Sequence, residues 1–256
     1  MGSENAGIGK LLMKALSKNI SKKTFAYKEF GMLKRIGQII ATRIELFLDF
    51  KRSIYHNKLR KNLKNTAPSI ISSNCIGGII YHDLGLQFKS PTINLTLNPN
   101  DYILFLENLE GFLNATPKEI VLEGYHYPVG ELTYKDQKIK LFFMHYKSFD
   151  DALSKWEERK KRIDFNNLFI IWEVVEQSGP NIELLQRFLD LKYENKVLIT
   201  GDKCPIKDKH ILKLKLYNNH YFSGKILTYK RKVSKKRYLN DFDFVEFLNT
   251  GTVKKA

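Results

Sequence analysis

Residues 72–91 read SSNCIGGIIYHDLGLQFKSP, and residues 68–71 before them read PSII. The short apolar run behind Pro68 predicts a buried strand. Residues 76–86 predict a helix that closes near Gly85. The segment Asn74-Cys75-Ile76-Gly77-Gly78 therefore falls where a strand turns into a helix. In α/β proteins such turns gather backbone N–H groups that can hold an anion. Two adjacent glycines admit a close approach by another backbone or a ligand. A cysteine at a helix start is placed for a lowered pKa.

Outward from this turn, strands and helices alternate. Residues 92–97 (TINLTL) predict a strand. Asn98-Pro99-Asn100-Asp101 predicts a helix start, with Asn98 as N-cap and Asp101 near the positive end of the dipole, and the helix runs through Phe112. Residues 119–122 predict a short strand, and 131–134 with 139–144 the arms of a hairpin. Ser148 with Asp151 predicts a capped helix over 149–163. The near-continuous apolar run 167–172 (NLFIIW) predicts a strand covered on both faces. A turn at Gly179-Pro180, a helix over 182–191, strands at 196–200 and 211–217 and a helix over 239–248 complete the order. The expected fold class is α/β: a layered α/β/α core with a mixed sheet, preceded by basic amphipathic helices. The expected division is a basic helical extension over 1–66, a core domain over 67–220 and a basic tail with a helix over 221–256.

The chain has 256 residues, 43% apolar, and a formal charge of +16. Residues 1–70 hold fifteen Lys/Arg against four acids, and a second basic cluster lies at Lys230-Arg231-Lys232 and Lys235-Lys236-Arg237. Acidic partners are expected to meet these flanks: an anionic membrane, a polyphosphate or a nucleic acid. Within 30–50, Ile36, Ile39, Ile40, Ile44 and Phe47 recur at helical spacing among Lys34, Arg35 and Arg43. Residues 1–9 read as a loose tail and 10–16 and 30–50 as helices; the 30–50 helix either packs on the core with a solvated basic face, or the segment 10–60 meets an anionic membrane surface. Tyr229 and Tyr238 interleave the second basic cluster, but no recognised nucleic-acid module accompanies it, so nucleic acid is the weaker expectation. No apolar run reaches membrane-spanning length, and the N-terminal residues carry no continuous apolar signal region. Two cysteines, Cys75 and Cys204, make no disulfide framework, and a cytoplasmic setting is expected.

Candidate chemistry centres on a few side chains. At 100° per residue, Ala152, Trp156, Arg159 and Ile163 fall within about a 60° arc, so Arg159 stands on the apolar stripe of its helix. It is either a structural arginine, paired with a buried carboxylate or stacked on Trp156, or a clamp for a substrate phosphate or carboxylate. Arg162 can share either role. Cys75 is a nucleophile only if His82 or His145 serves it as base; otherwise it is a small buried residue, or a bystander to binding by Asn74 and the Gly77 and Gly78 backbone. The turn is neither a Walker loop nor a dinucleotide fingerprint. The histidines and cysteines show no metal-ligand spacing, so neither a metal nor a cofactor is expected.

The chain resembles one family. Ser73-Asn74-Cys75-Ile76-Gly77-Gly78, Tyr81, Leu84-Gly85-Leu86 and Ser90-Pro91-Thr92 resemble the opening block of the bacterial DUF1919 family. Tyr127-Pro128-Val129-Gly130 resembles its second block. His145-Tyr146, Ser148, Ala152, Trp156, Arg159, Arg162-Ile163 and Asn167-Leu168-Phe169 resemble its third. The resemblance covers roughly 68–205. It implies a place among exopolysaccharide and capsule biosynthesis proteins, and a transferase acting on a nucleotide-sugar or a lipid-linked saccharide. It assigns no catalytic residue. Combined with the turn and the inward arginine, it leads to a scheme in which Asn74, Gly77 and Gly78 hold an anion, Arg159 and Arg162 neutralise diphosphate charge, and His145 or His82 acts as base. The alternative is a non-catalytic binding or scaffolding protein of a polysaccharide assembly complex.

Overall fold

Ile70 and Ile71 are neighbours in one strand, and each is buried in a different core. The computed structural model describes residues 34–35, 38–175, 181–218 and 224–256. It forms two compact units, Met1–Lys51 and Arg52–Ala256. The expected tail to Gly9, the helix over 10–16 and the turn at Gly179-Pro180 lie outside the described residues. In the first unit, residues 38–51 are helical.

The second unit runs α1 (52–62), β1 (Ser69–Ser72), α2 (Ile76–Leu84), α3 (Pro99–Glu107), α4 (Leu109–Asn114), β2 (Lys118–Ile120), β3 (Val129–Tyr134), β4 (Gln137–Phe142), α5 (Phe149–Lys160), β5 (Leu168–Glu173), α6 (Ile182–Asp190), β6 (Lys196–Thr200), β7 (Ile211–Lys213) and α7 (Phe244–Thr250). The fold is α/β. Its parallel and antiparallel pairings are divided between two sheets. One is parallel, in the order β1-β5-β6-β7; the other is antiparallel, in the order β2-β3-β4.

Side chains alternate across a strand, so the parallel sheet feeds both cores. Ile71, Ile170, Trp172 and Leu198 pack with Tyr102, Phe105, Trp156 and Phe188 on one side. Ile70, Phe169, Ile171, Val197 and Ile199 pack with Ile76, Ile80, Phe242 and Phe247 on the other. β5 is buried along its whole length, as its apolar run predicts. Ser148 caps α5, accepting from the Asp151 N–H at 3.2 Å.

Several expectations need correction. Residues 92–97 do not form a strand. Asn94 adopts φ 64°, and extended pairing shrinks to an isolated bridge between Thr96 and Phe142. Thr92 instead turns its hydroxyl to the Ser72 N–H at 3.2 Å. The helix expected through Phe112 breaks at Asn108, and Gly111 lies so close to Tyr134 that a Cβ there would sit 2.4 Å from its ring. Asn98 holds the N-cap position without a side-chain cap bond, and Asp101 accepts the Lys140 N–H instead. The last strand ends at Lys213, followed by a 3₁₀ turn.

The flanks are also more integrated than expected. Leu59 and Leu63, on and just after α1, pack on the second core, and Leu239, Phe242, Phe244, Phe247 and Leu248 are part of it. Asp83 of α2, fully buried, gathers these segments. His56 Nε2 of α1 and Arg237 Nε each lie 3.5 Å from Asp83 Oδ2, and Arg60 Nε donates to the Asp83 carbonyl at 3.1 Å. Removing one partner of such a cluster leaves buried charge uncompensated. Asp83→Ala is therefore expected to lower the unfolding free energy by about 3 kcal/mol. Arg187→Ala, which breaks the exposed Arg187–Glu107 pair, is expected to cost under about 1 kcal/mol. Urea unfolding of both variants checks the contrast, and equal costs would contradict it.

Candidate active site at the carboxyl end of the parallel sheet

Glu173 is the last residue of β5, and Ser72 the last of β1, its parallel neighbour. In open α/β sheets the carboxyl ends of strands are where ligands bind. Glu173 is only 7% exposed. One carboxylate oxygen accepts from the Asn74 amide, and the other from the Tyr217 hydroxyl at 2.7 Å. Burial pushes the Glu173 carboxyl above its ordinary value, against the pull of these two donors.

Asn74 does two jobs. Its Nδ2 holds Glu173, and its Oδ1 accepts the Ile76 N–H at 3.1 Å, setting the start of α2. Ser72 Oγ accepts the next N–H, that of Gly77, at 3.1 Å and donates to the Asn74 carbonyl at 2.6 Å. The first two amides of α2 are therefore satisfied from within the turn. They are not free to cradle an anion, as had been expected of Gly77. Gly77 has a packing reason instead: a Cβ there would stand 2.8 Å from Ser72 Oγ and 3.3 Å from Ile70 Cγ2. Gly78 faces Ile93 and Asn94 at ordinary contact distance.

Cys75 is the N-cap of α2 and half-buried. Burial, then the nearby Glu173 carboxylate, push its thiol up. The lowered pKa expected from its helix-start position is not found, because desolvation and a neighbouring negative charge both favour the protonated thiol. Tyr146 also lies near Cys75, and burial pushes its phenol up. Tyr146 donates to the Ile93 carbonyl at 3.0 Å and accepts from Arg159 Nη1 at 2.7 Å.

Arg159 is 8% exposed, on the buried stripe of α5 with Ala152 and Trp156. Neither structural account expected for it holds. Among the described residues it meets no carboxylate. Its other contacts are the Ile93 carbonyl at 3.5 Å and the Phe88 ring, 5.2 Å from Cζ to centroid. A guanidinium has five N–H donors; here one nitrogen carries both hydrogen bonds. Ile93 and Asn94 also border Gly78, so α5 and the α2 turn meet across the 93–94 segment. Arg162 is committed elsewhere, to the Phe88 carbonyl at 3.1 Å and to Glu158.

The histidines are not in this group. The His82 side chain is 70% exposed and pairs with Asp83, two turns along α2 from Cys75. His145 is exposed on the loop after β4, next to the residue that does enter the site. Glu173, Tyr146 and Tyr217 are the site members that sequence reasoning missed. For Glu173 the available signal was a carboxylate ending a wholly apolar strand. Among the described residues no group of His, Cys, Asp or Glu is placed to hold a metal ion.

The raised Glu173 pKa has a signed consequence for stability. Below pH 4.5, its ordinary value, the carboxyl is protonated in folded and unfolded chains alike. As pH rises above that, the unfolded chain ionises first, so this group withdraws stability until the folded pKa is passed. Replacing it by Gln removes the titration. The unfolding free energy of Glu173→Gln is expected to gain on that of the unmodified chain between pH 4 and pH 8, roughly 1 kcal/mol for each unit of raised pKa. A unmodified chain that instead gains on the variant as pH rises would show that the Asn74 and Tyr217 donors dominate.

Comparison with known proteins gives the family. The family model for DUF1919, a domain of unknown function, matches residues 47–249. That span includes α1, both sheets and most of α7. An uncharacterized protein of Haemophilus influenzae is 33% identical over 199 residues, covering 78% of this chain and 92% of its own length. The chain belongs to the DUF1919 family.

Proposed function

We propose that the chain is a transferase of bacterial cell-surface polysaccharide synthesis, working in the cytoplasm on an activated, phosphate-bearing sugar with a saccharide or lipid-linked acceptor. The observation that carries this reading is Arg159: a buried guanidinium that meets no carboxylate among the described residues, held by the Ile93 carbonyl and by Tyr146, which lies near Cys75. A buried cation in such a place is suited to an anionic ligand, and guanidinium geometry suits phosphate. The exopolysaccharide and capsule association implied by the family resemblance supplies the substrate class.

In this scheme Glu173 is the base, in place of either histidine. Its raised pKa brings it nearer to neutral, where a general base works well. Asn74 and Tyr217 orient it. Glu173 takes the proton of the acceptor hydroxyl as that oxygen bonds to the sugar carbon. The bond from that carbon to the phosphate oxygen breaks, and the phosphate leaves with its electron pair, its charge met by Arg159. Cys75, its thiol pushed up by burial and by Glu173, keeps its proton.

One observation favours a second reading, a non-catalytic binding protein: both Glu173 oxygens are already occupied by Asn74 and Tyr217, as in a purely structural carboxylate. A thermal-shift screen against nucleotide-sugars, nucleotides and sugar phosphates tests both readings. A true donor at 100 times its Kd is expected to raise Tm by roughly 5–10 °C. Folded Arg159→Ala should lose the shift, and Arg159→Lys should keep part of it. Glu173→Gln should keep the shift and lose product formation followed by mass spectrometry. Binding without turnover by the unmodified chain would select the second reading. A shift unchanged in Arg159→Ala would overturn the site.

A further inference from the structure

Each compact unit carries a surface that the proposed chemistry leaves unexplained. In the first unit, residues 38–51 are helical, and Ile39, Ile40, Ile44, Leu46, Phe47 and Phe50 are all exposed. At 100° per residue these six fall on an arc of about 160°. Arg43 and Lys51 lie inside that arc, and Lys51 Nζ sits 4.7 Å from the Phe47 ring centroid. Glu45 and Asp49, the acids of this stretch, lie on the opposite face. Six large apolar side chains on one helix face are far more than scattered surface residues.

In the second unit the basic cluster at 230–237 is a small hairpin. The Lys230 N–H donates to the Lys236 carbonyl at 3.1 Å, and Tyr229 bridges Arg237. Val233 stands at its tip, 67% exposed, between exposed Arg231, Lys232 and Lys235. α1 supports the hairpin: Arg52 donates to the Lys232 carbonyl at 3.3 Å and stacks on Tyr229, whose ring also meets Arg237. Lys235 and Lys236 lie over Tyr55 of α1. Ile54, also on α1, is exposed.

We propose that these two surfaces bind an anionic lipid membrane without crossing it. Among the described residues no helix is long and apolar enough to cross one. Charge decides between occupants. On the helix over 38–51 Arg43 and Lys51 share the apolar arc while both acids lie opposite, and residues 224–238 carry seven Lys/Arg with no acid. A second copy could cover an apolar face but would bring the same positive charge to it. A nucleic acid would satisfy the hairpin and leave the apolar arc in water. An anionic bilayer interface satisfies both, taking apolar side chains into its acyl boundary and lysines and arginines at its headgroups. A basic hairpin with an apolar tip and an amphipathic helix are two separate contacts, and stable attachment takes two signals. The inference does not depend on the transferase reading.

The test is co-sedimentation of the full chain with vesicles of phosphatidylcholine alone and with added phosphatidylglycerol. Binding is expected only to the anionic vesicles and is expected to weaken in high salt. Arg231→Glu/Lys232→Glu/Lys235→Glu should weaken it at least about tenfold, and so, separately, should Ile40→Asp/Phe47→Asp, each with an unchanged melting temperature. No binding to anionic vesicles would overturn the proposal. Binding of duplex DNA by a chain that ignores vesicles would give the hairpin to nucleic acid. A dimer in sedimentation equilibrium that Phe47→Asp dissociates, without vesicle binding, would give the helix face to a second copy. Vesicle binding that only the hairpin variant weakens would remove the helix from the proposal.

Discussion

A single side chain, Asn74, joins the two halves of the site. Its carbonyl oxygen fixes the first amide of α2, and its amide nitrogen fixes the carboxylate at the end of β5. A buried carboxylate is costly unless its oxygens are satisfied. Glu173 is tolerated because Asn74 and Tyr217 satisfy both. Those two donors come from opposite sides of the parallel order, one just past β1 and one beyond β7. The carboxylate thus pins together the edges of the sheet's carboxyl end, above cores that bury both sheet faces. Such an arrangement costs stability and holds a titratable group in fixed geometry, which is the usual trade at a functional site.

The second constraint is the buried arginine. Arg159 sits on a helix stripe that otherwise buries Ala152 and Trp156. Its chain covers apolar surface while its head reaches a phenol and a backbone carbonyl. Tyr146 accepts the guanidinium bond and donates its own O–H to the Ile93 carbonyl, so the pair is oriented without a carboxylate among the described residues. The Cys75 thiol, pushed up by burial and by the Glu173 carboxylate, lies near Tyr146 as well.

Local signals made much of the fold legible. The strand-turn-helix at 70–84, the Ser148 cap and the buried β5 follow from short-range periodicity and capping chemistry, and the inward direction of Arg159 follows from helical period alone. The misses are long-range. Gly77 reads locally as room for a ligand, yet the room is filled by Ser72 and Ile70 of β1. Residues 92–97 alternate like a strand, but Ser72 recruits Thr92 and Asn94 turns left-handed, which no alternation pattern reveals. Tyr217 lies 44 residues from Glu173, and only the parallel strand order brings them together. His145 attracted attention as a titratable group, while its neighbour Tyr146 carries the contact. The C-terminal segment looked like a tail because its lysines stand out. Its phenylalanines complete the second core.

Cys75 gives the most direct test of where ligand binds, because it lies near both Glu173 and Tyr146 while Cys204 is buried. The measurement is the rate of Cys75 alkylation by a small thiol reagent, with and without the phosphate-bearing sugar that shifts Tm. The account predicts slow labelling at neutral pH that accelerates only above the ordinary thiol range, and clear protection by the ligand. Labelling that proceeds at the same rate with the ligand bound would place binding away from the carboxyl end of the sheet and contradict the account.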